Sequence, residues 1–125
     1  MIPLRRIAAT AALATVAAAA AAAPATAADT ASFQTPSGNI RCAYVSGQGV
    51  GCVSASNGRY AMLRSFGGAR TGFTSSSLPG GWTLGYGYRW RASTFSCTSR
   101  VSGISCRSSH TGHGFFLSRE ASYRW

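Results

Sequence analysis

His113 lies between two glycines in TGHGFFLSRE (Thr111–Glu120), a few residues before Glu120, one of only two carboxylates in the chain. An imidazole and a carboxylate can work as acid and base, and arginines that hold a phosphate would turn such a pair toward RNA cleavage. His110 precedes His113 in HTGH, and two histidines can begin a metal site. A metal needs a third ligand, however, and the acidic residues are Asp29 and Glu120 alone. No metal and no cofactor are therefore expected. GYG (Gly85–Gly87) is too short for a dinucleotide fingerprint. Serines abound, but with Asp29 standing alone no Ser–His–Asp set can be drawn. A turn competes with all of these readings. Gly112 and Gly114 free the backbone on either side of His113, and Phe115 and Leu117 then share one face of a following strand. On that reading the loop enters a core strand and displays a binding group at its tip.

The second chemistry is arginine chemistry. All twelve basic residues are arginine, against two acids, for a net charge of +10. Such a surface attracts polyanions and acidic envelopes, although arginine in place of lysine also fits a high-GC genome. GYGYRWRASTF (Gly85–Phe95) places Arg89 and Arg91 on one strand face and Trp90 on the other, and Tyr123 and Trp125 flank Arg124. Guanidinium groups beside aromatic rings hold single strands and acidic glycans. The plainer alternative has the aromatics filling a β core while arginine solvates the outside.

The elements that must position these groups begin after residue 28. MIPLRR is a basic start, a long alanine-rich apolar run follows, and PATAA supplies small residues. Together these describe a secretory signal peptide over residues 1–28, cleaved after Ala27 or Ala28. Alanine is too weakly apolar for the run to be read as a membrane anchor. Arg5-Arg6 raises the twin-arginine route, but the residues after the pair match it poorly and the general route is preferred. The exported chain is then one small domain, residues 29–125. It loses Arg5 and Arg6, and the net charge falls from +10 to +8.

Within that domain short aromatic and β-branched runs alternate with Gly, Ser and Asn, a pattern of all-β structure. Strands are expected at Asn39–Val45, Val50–Ser54, Tyr60–Ser65, Trp82–Tyr88, Thr94–Ser99, Ile104–Arg107 and Gly114–Arg119. The stretch Gly67–Gly81 reads as a flexible connection, because Pro79 and two Gly pairs disfavour a strand. PSGN (Pro36–Asn39) reads as the bend before the first core strand.

An internal repeat is visible. GVGCVSASNGRYAML (Gly49–Leu63) aligns without a gap on GISCRSSHTGHGFFL (Gly103–Leu117), and one residue of slack upstream brings Cys42 onto Cys97. Each copy would be a three-stranded antiparallel meander. The expected architecture is a small disulfide-stapled antiparallel barrel or sandwich made of two such meanders. Four cysteines in an exported chain imply two disulfides. In each copy the two cysteines flank a turn and could face one another across a hairpin, which favours Cys42–Cys52 and Cys97–Cys106. Cys42–Cys97 with Cys52–Cys106 is the alternative that would tie the copies together. Zinc is disfavoured, since the spacings of ten and nine residues are not CxxC-like.

FQTPSGNIRC, LGYGYRW, FSCTSRVSGISC and TGHGFFLSR occur in that order and cover nearly the whole of residues 29–125. In this the chain resembles a family of small exported proteins, mostly actinobacterial, that carry a domain of unknown function. The resemblance implies export, one domain and paired cysteines. It carries over no catalytic residue. No lipobox cysteine adjoins the leader, so a released, extracellular protein without a membrane span is expected.

The function expected from these features is a secreted binding module for an anionic envelope or extracellular partner, with Arg59, Arg89, Arg91 and His113 as contacts. Catalysis is not favoured. One alternative is a small ribonuclease-like hydrolase using His113 and Glu120. Another is a secreted inhibitor or protein-interaction domain with a protein partner.

Overall fold

The computed structural model describes residues 29–125; the leader expected over residues 1–28 lies outside the described residues. Eleven strands form: β1 (Thr30–Gln34), β2 (Ile40–Val45), β3 (Gly49–Ser54), β4 (Arg59–Arg64), β5 (Arg70–Phe73), β6 (Trp82–Thr83), β7 (Arg89–Ala92), β8 (Phe95–Arg100), β9 (Gly103–Ser108), β10 (Gly114–Leu117) and β11 (Ser122–Arg124). They build two sheets on one core. Sheet A has the order β5-β4-β3-β2-β1-β6, and sheet B has the order β11-β10-β9-β8-β7. All pairings are antiparallel except β1 with β6. No helix among the described residues is long and apolar enough to cross a membrane.

Alternation explains the elements. Ile40, Cys42 and Tyr44 point inward from β2, as do Val50 and Cys52 from β3 and Ala61 and Leu63 from β4. Phe95 and Cys97, Ile104 and Cys106, and Phe115 and Leu117 do the same from β8, β9 and β10. Period-two side chains leave the intervening residues on the outer face of each sheet. The sheets meet through aromatic rings: Phe33 lies 4.9 Å and Tyr44 5.2 Å from Trp90, and Tyr44 lies 6.0 Å from Phe95.

Both disulfides join directly opposed residues of neighbouring strands. Cys42–Cys52 bridges β2 and β3, and Cys97–Cys106 bridges β8 and β9. All four cysteines are buried in the core. The strands around them share one register. Val50 faces Leu63 as Ile104 faces Leu117, and Cys52 faces Ala61 as Cys106 faces Phe115. The turns agree as well: the Gly58 N–H donates to the Ser54 carbonyl, and the Gly112 N–H donates to the Ser108 carbonyl. Gly49 and Gly103 both have positive φ, +132° and +149°. A Cβ at either would collide with the carbonyl oxygen of Leu63 or Leu117, respectively.

The structure differs from the sequence expectation at the edges. Within Gly67–Gly81, expected to be a connection, β5 forms a strand beside β4. It needs no apolar face of its own, because the backbone of β4 supplies its partners, and Gly72 accommodates the Tyr60 ring. Pro79 falls after the strand. The strand expected over Trp82–Tyr88 is only the short β6. Gly85–Tyr88 then turns, with Gly87 at φ +87° and the Tyr88 N–H donating to the Gly85 carbonyl. β1, which lies between β2 and β6 and brings Phe33 into the core, and β11, an edge of sheet B, were not expected.

Candidate anion-binding face

The outer face of sheet B is built by register. Arg89 faces Thr98, Thr98 faces Ser105, Ser105 faces Phe116, and Phe116 faces Tyr123. The next row runs Arg91, Ser96, Arg107 and Gly114, and Gly114 exchanges backbone hydrogen bonds with Trp125. Arg100 extends the same face at the end of β8.

Arg89, Arg91, Arg100 and Arg107 thus line one depression of about 390 Å³, with Ser96, Thr98, Ser105 and Ser109 among its other walls. All four arginines are exposed. The Arg89 Nε donates to Thr98 Oγ1 at 3.4 Å. No carboxylate lines the depression. Among the described residues the one ion pair is Arg119 with Glu120, at 3.1 Å and on the surface elsewhere. Residues two apart on a strand stand ~7 Å apart, and neighbouring strands ~4.8 Å. Guanidinium charges at ~7 Å repel by roughly 0.6 kcal/mol per pair in water before screening. No carboxylate offsets that repulsion, and an anion would relieve it while accepting hydrogen bonds from guanidinium and hydroxyl groups together.

Trp90, between Arg89 and Arg91, turns inward and is only 7% exposed. The alternation of RWR therefore divides one core ring from two surface charges.

The other expected contacts lie elsewhere. Arg59 opens β4, with its guanidinium 4.8 Å from the Phe73 ring centroid and its Nε donating to the Arg119 carbonyl at 3.4 Å. Arg119 lies just past the end of β10. His113 lies just before β10, its Nδ1 3.1 Å from the Trp125 carbonyl oxygen. β4 and β10 run alongside one another in opposite directions: Asn57 and Arg59 reach Arg119 at one end, and Phe66 packs against His110 at the other. Arg59 and His113 are consequently at opposite ends of the molecule's β4–β10 seam.

His113 and Glu120 are parted in the same way. They flank β10, whose four residues alone span ~13 Å. Glu120 is engaged by Arg119. The His110 ring meets Phe66 edge-on, with centroids 5.6 Å apart. Among the described residues no three His, Cys, Asp or Glu side chains form a metal-binding cluster.

Sequence reasoning found Arg89 and Arg91 but not Arg100 and Arg107. A signal was available. Once Cys97 faces Cys106, antiparallel register sets Ser96 opposite Arg107, and Arg107 then shares a row with Arg91.

No family model, curated protein or solved structure matches the chain.

Proposed function

We propose that the protein is a secreted, disulfide-stapled binding module that holds an anionic polymer of the cell envelope or its surroundings on the outer face of sheet B. The observation that carries this reading is the set of four arginines around one hydroxyl-lined depression with no carboxylate to neutralise them. Arg89, Arg91, Arg100 and Arg107 supply the charge, and Ser96, Thr98 and Ser105 supply shorter hydrogen-bonding groups beneath them. Two disulfides fit an extracellular protein, in keeping with a leader over residues 1–28 removed near Ala27 or Ala28. The shared register, turn bonds and glycine conformations of β2–β4 and β8–β10 support a reading of the two meanders as copies of one unit. The motifs from PSGN to TGHGFF support kinship with the small actinobacterial exported proteins they resemble.

Co-sedimentation of the oxidised protein with cell-wall sacculi, and titration with polyphosphate, test the proposal at low and high salt. Binding should weaken steeply as salt rises, since each phosphate contact releases counterions. Replacing Arg91 and Arg107 together by alanine should flatten that dependence. Absence of binding at low salt, or binding indifferent to salt, would overturn the proposal.

A further inference from the structure

The arginines occupy only half of the outer face of sheet B. Its other half is aromatic. Phe116 and Tyr123 stack with centroids 5.1 Å apart and planes 22° from parallel, and Tyr123 lies 6.3 Å from Trp125. Two glycines shape this half. The Phe116 ring lies against Gly103, and the Trp125 indole lies against Gly114, where a Cβ would come within 2.6 Å of its Cζ2. The rings therefore settle onto the sheet beside the arginine depression. Tyr123 remains 57% and Trp125 48% exposed, far more than a ring held only for the core would be.

Charge and rings are segregated. Going across the sheet, each row passes from arginine through small residues to an aromatic ring: Arg89 to Tyr123 in one, Arg91 and Arg107 to Trp125 in the other. Along the strands the arginine rows repeat every ~7 Å, close to the separation of neighbouring phosphates in an extended single strand. In an acidic glycan the charge is carried on the ring that stacks, so arginines and aromatic side chains would interleave. In a nucleic-acid strand the phosphates follow one edge and the bases project to the other. A duplex hides its base faces and could use only the charged half.

From this segregation we infer that the anionic polymer is single-stranded nucleic acid, bound with its backbone along β7–β9 and its bases on Tyr123 and Trp125. The inference rests on the anion-binding reading above and narrows it. Stacking on such a platform is tolerant of sequence, because every base has a π face, so no base preference is required.

The test separates the two readings. The oxidised protein is titrated at one low salt concentration with oligodeoxythymidylate, an abasic oligomer of equal length, polyphosphate of equal charge and heparin. The oligodeoxythymidylate should bind about tenfold or more tightly than the abasic oligomer and the polyphosphate. Tyr123→Ala should remove most of that advantage and leave polyphosphate affinity unchanged, while Tyr123→Phe should retain it. An unchanged circular-dichroism spectrum and urea midpoint show that the alanine variant is folded. Equal affinity for all three phosphate polymers would overturn the nucleic-acid inference and leave the anionic face standing. Tighter binding of heparin, lost in Tyr123→Ala, would overturn it in favour of an acidic glycan. Failure of every probe to bind would overturn both.

Discussion

Arg91 and Arg107 stand on either side of Ser96 in a single cross-strand row of sheet B. They belong to strands two apart, so ~10 Å separates their backbones, and Ser96 leaves the space between them open. Two guanidinium groups can converge on one anion there without a change in the sheet.

Replacing both Arg91 and Arg107 by alanine should lower polyphosphate affinity at low salt by roughly tenfold and reduce the slope of log affinity against log salt by about two. Replacing Arg64 and Arg70, in sheet A, should change the slope by less than one unit, about what loss of a single contact would give. Fluorescence titrations over a salt series measure both slopes.

His113→Ala should alter polyphosphate affinity by less than about twofold. His113 does not line the arginine depression, and its Nδ1 lies 3.1 Å from the Trp125 carbonyl oxygen instead. The same titration checks this, and a large loss would move the binding site toward the β9–β10 turn.

Gly49→Ala and Gly103→Ala should each destabilise by about 3 kcal/mol or more, because both combine positive φ with a carbonyl collision. Gly47→Ala offers the contrast. Its φ is +81°, but nothing lies near a Cβ there, so about 1 kcal/mol is expected. Urea denaturation midpoints would rank the three.

Replacing Cys42 and Cys52 together by alanine should cost about 3 kcal/mol from the loss of a short-loop crosslink. Replacing Cys97 and Cys106 should cost nearly the same, since the closed loops span ten and nine residues. Denaturation curves of the two variants should therefore almost superimpose.

Ser99 is fully buried and its hydroxyl has no hydrogen-bond partner. Ser99→Ala removes that desolvated group at little loss of packing, and a gain of about 1 kcal/mol is expected. In a domain of this size the thermal midpoint would rise by about 4–8 °C.

The strands closest to each disulfide were legible because their evidence is local. Ile40, Cys42 and Tyr44 alternate within one segment, as do Phe95, Cys97 and Ser99, and the short spacing between cysteines favoured pairing across a hairpin. β5 and β11 carry little apolar alternation, and β1 offers one core ring, Phe33. Their place comes from backbone groups that a neighbouring strand offers only after the sheet has formed, so their residues announce little alone.

The same division runs through the candidate site. The sequence by itself determined an all-β, arginine-rich chain with cysteines spaced to pair across hairpins, and it put Arg89 and Arg91 on one face opposite Trp90, because side-chain direction alternates along any strand. Only the tertiary structure decided that Arg107 and Arg100 join them, that Phe116 and Tyr123 continue their row, and that Arg59, His113 and Glu120 do not. Which side chains become neighbours across strands depends on sheet order and register, and which ends of strands meet depends on how the two sheets run against each other. Those are properties of the whole chain, set when both sheets close on one core.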